Sequence, residues 1–132
     1  MTSTSVPAKR ILLVEDEPTI CRVCRATFTR QGFAVDTVDN GGLAVNVLEA
    51  DQGYALILID IRTPVMNGKE LYAWILKNHP ELAKRAIFTT GDVFGGNSEA
   101  FISASGRVFL PKPFTPADLK AAISEALERA EE

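Results

Sequence analysis

Short apolar runs alternate with segments of helical period along this chain. The run Ile11-Leu12-Leu13-Val14 predicts a buried strand over 10–14. Residues 17–31 carry Ile20, Val23, Cys24, Thr27 and Phe28 at i, i+3, i+4, i+7 and i+8 spacing, which is one face of a helix. Pro18 suits its first turn and Gly32 its stop. Residues 33–38 form a weaker strand with Asp36 inside it, as expected near a sheet edge. A helix over 40–51 carries Leu43, Val47 and Leu48. Residues 55–59 are apolar without interruption, the pattern of a strand buried on both faces. Leu71 and Ile75 point inward from a helix over 67–78, with Pro80 as its stop. A fourth strand spans 86–90, and a weakly hydrophobic helix over 97–105 follows a loop with Gly91, Gly95 and Gly96. A fifth strand spans 107–110. The last helix opens with Thr115-Pro116-Ala117-Asp118, an N-cap, a proline at the first position and a capping acid.

Five strand–helix units joined by short loops require a parallel sheet with helices on both faces, an α/β fold. The alternation does not set the strand order. It does show where chemistry collects. The first strand runs into Glu15-Asp16, the third into Asp60, the fourth ends on Thr90, and the fifth leads to Lys112. Open parallel sheets build their sites at these carboxyl ends. Three carboxylates, a hydroxyl and an ammonium make a cation site beside a place for a transferable anion.

With 132 residues, 46% of them hydrophobic, the chain fits one domain with one core. A net charge of −3 gives no general electrostatic reason to bind nucleic acid or an anionic membrane. No apolar stretch reaches the roughly 20 residues of a membrane span. Residues 1–8 read as a polar tail or linker, and a cytoplasmic location is expected. Cys21 and Cys24 have Cys-x-x-Cys spacing but fall inside the helical apolar pattern. With no second ligand pair and His79 the single histidine, they read as packing residues and not as a zinc site.

The acid pair after Ile-Leu-Leu-Val, Asp60 after the third strand, Pro64-Val-Met-Asn-Gly68, Thr90-Gly91 and Lys112-Pro113-Phe114 occur in order at characteristic distances. Over residues 9–130 the chain resembles the receiver domain of two-component response regulators, including those fused to hybrid histidine kinases. The resemblance implies a flavodoxin-like (βα)5 fold with strand order 2-1-3-4-5. It implies Mg2+ held by Glu15, Asp16, Asp60 and the backbone carbonyl of Arg62, with Asp60 as phospho-acceptor. Lys112 would pair with Asp60 and then with phosphoryl oxygens, and the Lys112–Pro113 bond would be cis. Thr90 and Phe109 would form the switch. The implied partner is a histidine kinase or histidine phosphotransfer domain. An output partner or second copy would read helix 97–105, strand 107–110 and helix 116–130. Such a domain assists its own phosphorylation and is not an enzyme acting on a separate metabolite. Arg62 and Asp92 are expected to face each other across the mouth of the site.

Two other readings remain open. One is a flavin- or nucleotide-binding protein of the same topology, disfavoured because residues 14–19 hold three acids and no glycine to cradle phosphate. The other is a receiver-like interaction module that never takes phosphate.

Overall fold

The computed structural model describes residues 8–91 and 97–131. Five parallel strands lie in the order β2-β1-β3-β4-β5. They are β1 (Arg10–Val14), β2 (Ala34–Val38), β3 (Leu56–Asp60), β4 (Ala86–Thr90) and β5 (Val108–Pro111). The described helices are α1 (Pro18–Arg30), α2 (Gly41–Ala50), α3 (Gly68–Asn78), α4 (Pro80–Ala83), α5 (Asn97–Ser105) and α6 (Pro116–Ala130). This is the flavodoxin-like order implied by the resemblance.

Burial follows the strand positions. All five residues of β3 and all five of β4 are buried, whereas β2, at the sheet edge, exposes Ala34 and Asp36. Side chains alternate between two cores. Ile57, Ile59 and Phe88 pack with Leu48, Leu71 and Ile75 on one face. Leu58, Ile87 and Leu110 pack with Phe28, Leu119 and Ile123 on the other. Tyr72, Phe88 and Phe101 form an aromatic cluster with edge-to-face contacts and centroids 5.0–5.9 Å apart. Each fully buried Leu, Ile or Phe contributes roughly 1.5–3 kcal/mol.

Local signals set the helix ends. Asn67 and Glu70 form a capping box at α3, and Thr115 and Asp118 form another at α6. Each such cap is worth about 1 kcal/mol. Gly32 ends the turn after α1 at φ +89°, where a side chain would be strained.

One expectation is corrected. Pro80 does end α3, but it also opens α4, a four-residue helix that buries Leu82 and Ala83. Proline is tolerated in a first turn because the N–H it lacks has no partner there. His79 serves as C-cap of α3 and N-cap of α4, half-buried against Trp74 with ring centroids 5.3 Å apart. In α2, Leu43 lies at the surface. It is 42% exposed, while Gly41, Ala44 and Leu48 face the core at i, i+3 and i+7.

Candidate functional site

The pairing register brings the polar strand ends together. Val14 lies opposite Ile59, so Glu15 and Asp16 leave β1 beside Asp60 at the end of β3. Asp60 pairs in turn with Thr89, and Thr90 with Pro111. One oxygen from each of Glu15, Asp16 and Asp60 lies within 4.8 Å of the others. Glu15 and Asp60 are buried; Asp16 is exposed.

Lys112 reaches back into this group. The Lys112–Pro113 bond is cis, as expected. The ammonium donates to Asp60 Oδ2 at 3.1 Å and to Glu17 Oε1 at 3.0 Å. It also lies 2.8 Å from Glu15 Oε1 as an ion pair. The other Asp60 oxygen, Oδ1, accepts from the Arg62 backbone N–H at 3.1 Å, and Glu15 Oε2 accepts from the Glu17 N–H at 3.1 Å. Asp16, Glu17, Asp60, Arg62, Gly91 and Lys112 line an open cleft of about 350 Å³.

The charges explain one another. Burial pushes the Glu15 carboxyl up to about 7 and the Asp60 charge adds to this, while Lys112 and the Glu17 N–H pull it down. Burial works against the Lys112 charge, but Glu15, Glu17 and Asp60 outweigh it and hold the ammonium above the ordinary lysine value. The donor set is all oxygen, and the buried Glu15 Oε1 has Lys112 Nζ as its partner at 2.8 Å. Clustered carboxylates of this kind suit a hard divalent cation such as Mg2+.

Thr90 and Phe109 meet at a second place. Phe88 and Phe109 are paired across β4 and β5, and both pack on the α2–α3 side of the sheet. By strand alternation Thr90 shares that face, and it lines a pocket of about 480 Å³ with Phe109, Ile102 and Arg107. Thr89, the neighbouring hydroxyl, is fully buried on the opposite face, and its Oγ1 has no hydrogen-bond partner among the described residues. Asp92 lies outside the described residues, as does most of the tail 1–8.

Cys24 packs in the core beside Phe28, and burial pushes its thiol up to about 12. Cys21 is half-buried and donates to the Glu15 carbonyl at 3.5 Å. The residue that the sequence reading did not single out is Glu17. Its signal is the third place in the run of three acids after β1, which by sequence alone reads only as a charge that repels phosphate.

Comparison with known proteins agrees with this geometry. The model of the response regulator receiver domain matches residues 11–124. The chain is 29% identical to the transcriptional activator protein PfeR of Pseudomonas aeruginosa over 127 residues, covering 95% of this chain and 40% of that protein. It is 31% identical to the sensor kinase CckA of Brucella abortus, covering 90% of this chain and 12% of that one. The chain thus spans less than half the length of these relatives. Among solved structures, a CheY-like receiver from Methanospirillum hungatei superimposes with a TM-score of 0.81 at 28% identity, covering 94% and 97% of the two chains. The receiver domain of the sensor histidine kinase PA1611 from P. aeruginosa, which has magnesium in its active-site cleft, gives 0.80 at 30% identity, covering 92% and 98%. With the strand order, the acidic cluster and the match over 11–124 in agreement, the chain belongs to the receiver-domain family of two-component response regulators.

Proposed function

We propose that residues 9–130 accept a phosphoryl group on Asp60 from the phosphohistidine of a histidine kinase or histidine phosphotransfer domain, in a cytoplasmic phosphorelay. The observation that carries this reading is Asp60 itself. It is a buried carboxylate bonded to Lys112 at 3.1 Å, clustered with two further acids, at the floor of an open cleft. An oxygen of Asp60 forms the new O–P bond while the P–N bond to the donor imidazole breaks, and the bonding pair stays with that nitrogen. Phosphoryl transfer demands mainly positioning and charge neutralisation.

Arg62 N–H and Lys112 hold the two Asp60 oxygens and so fix the direction of the carboxylate. Glu15, Asp16 and Asp60, with the backbone carbonyl of Arg62, would hold Mg2+. When bound, that ion supplies neutralisation of the charge gathered on the phosphoryl oxygens. Lys112 supplies the rest from the side of β5. Thr90 donates its hydroxyl to a phosphoryl oxygen, and its movement is passed to Phe109 through the pocket that both line. α5, β5 and α6 border that pocket and present the altered surface to an output partner or second copy. The domain assists its own phosphorylation and does not turn over a separate metabolite.

Phosphoramidate with Mg2+ should add one phosphoryl group, seen by intact mass. Chelation should suppress it and Asp60→Asn should abolish it. Equal labelling of Asp60→Asn would move the acceptor elsewhere, and no labelling of the wild type would favour an interaction module without phosphorylation.

A further inference from the structure

Lys112 is bound by more carboxylates than the proposed transfer can use. An ammonium has three N–H donors. Three carboxylate oxygens surround this one, from Glu15 at 2.8 Å, Glu17 at 3.0 Å and Asp60 at 3.1 Å. The Lys112 side chain is only 10% exposed, so little room remains for another partner. A phosphoryl oxygen that pairs with Lys112 must displace one of the three.

The three differ in what displacement would cost. The Glu15 and Asp60 side chains are 0% and 4% exposed. Until the O–P bond forms, either would be left as a buried charge with a partner lost, which is expensive. The Glu17 side chain is 59% exposed and would return to water at little cost. Glu17 also lies outside the cluster formed by Glu15, Asp16 and Asp60, yet it lines the same cleft.

The placement of Glu17 fits such a use. It occupies the N-cap position of α1, but its side chain makes no capping hydrogen bond. The carboxylate instead reaches a lysine 95 residues away in sequence. Its backbone N–H meanwhile donates to Glu15 Oε2, which fixes the start of that reach beside the acidic cluster.

We propose that Glu17 is a positioning residue that holds Lys112 before phosphorylation and yields it to the incoming phosphoryl group, so that the Glu17–Lys112 contact slows phosphoryl acceptance by Asp60. This rests on the receiver reading above. The contact must open each time a donor is used, and it re-forms when the phosphoryl group leaves.

Two substitutions separate the contact from the charge. Glu17→Ala removes both. Glu17→Asp keeps the charge but is one methylene shorter, and aspartate at an N-cap turns to the helix N–H groups. Both variants should fold, which thermal unfolding verifies. Phosphorylation by phosphoramidate is followed at saturating Mg2+ for wild type, both variants and Asp60→Asn. Both Glu17 variants should accept the phosphoryl group about two- to five-fold faster than wild type, the range set by one exposed ion pair. The 15N signal of Lys112 Nζ should also shift in both variants before any donor is added. A wild-type rate in Glu17→Asp with acceleration only in Glu17→Ala would replace the contact with a general charge effect and overturn the proposal. Wild-type rates in both would overturn it too, while leaving the receiver reading intact. Failure of that reading itself would show differently, as an unlabelled wild type or a labelled Asp60→Asn.

Discussion

Lys112 Nζ lies 3.1 Å from Asp60 Oδ2, although 52 residues separate the two in the chain. Asp60 ends the central strand β3, and Lys112 follows the edge strand β5. Both ends of this contact are largely buried, so each charge is compensated by the other more than by water.

Lys112→Met should therefore leave Glu15 and Asp60 facing each other without the ammonium. Breaking a buried pair in this way costs about 3–5 kcal/mol. Urea unfolding at pH 8 without divalent ions should show a loss of that order. Mg2+ should recover part of it by occupying the carboxylates, and should stabilise the variant more than the wild type. Equal losses with and without Mg2+ would mean that the cation does not sit among these acids.

Glu15 predicts a pH dependence of stability in metal-free buffer. Its carboxyl keeps a proton up to about pH 7 in the folded chain, against an ordinary value of 4.5. Between these values the folded state binds the extra proton. The contribution of Glu15 is thus fully present below 4.5, falls as pH rises toward 7 and is flat above. The total change is of order 1–3 kcal/mol. Glu15→Gln should lack this slope in unfolding measurements between about pH 5 and pH 8. A slope retained in Glu15→Gln would assign it to another group.

Adjacent threonines should behave differently. Thr89 Oγ1 is buried without a partner among the described residues, so Thr89→Val removes an unsatisfied hydroxyl at nearly constant shape. It should raise stability by about 1 kcal/mol and leave phosphoryl acceptance unchanged. Thr90→Ala should allow Asp60 to be phosphorylated but weaken the response of Phe109, read as a smaller shift of its NMR signals on phosphorylation. A Phe109 response lost in the Thr89 variant and kept in the Thr90 variant would reverse the assignment of the switch.

The loop behind the acceptor offers two substitutions of opposite sign. A Cβ on Gly68 would lie 2.7 Å from Ile61 Cα and 2.9 Å from the Asp60 carbonyl oxygen. Gly68→Ala should destabilise by roughly 1–3 kcal/mol through this overpacking, and slow phosphorylation by shifting the end of β3. Val65, 88% exposed, sits at φ +67°. There Met66 N–H donates to the Pro64 carbonyl at 2.7 Å, closing a strained three-residue turn. Val65→Asn should stabilise by about 1 kcal/mol, because asparagine tolerates this region and a β-branched side chain does not. Melting temperatures moving together in the two variants would contradict this account of the loop.

Much of this molecule was legible in one dimension. The apolar runs 11–14, 55–59 and 86–88 determined three buried strands because a parallel strand covered on both faces reads as a near-continuous apolar run. Thr115-Pro116-Ala117-Asp118 determined where α6 begins, since caps act within one turn. The residues Glu15, Asp16, Asp60, Thr90 and Lys112 stood out because each follows or ends such a strand. Other features were decided only in three dimensions. Pro80 reads equally as a stop or a start, and it became both because α4 could bury Leu82 and Ala83. The apolar residues of α2 do not by themselves say which face turns inward; packing against β1 and α3 buries Gly41, Ala44 and Leu48 and leaves Leu43 exposed. Alternation alone left the strand order open. The reach of Glu17 to Lys112 was invisible for a related reason: a contact across 95 residues depends on which strands become neighbours, and no local spacing rule encodes that distance.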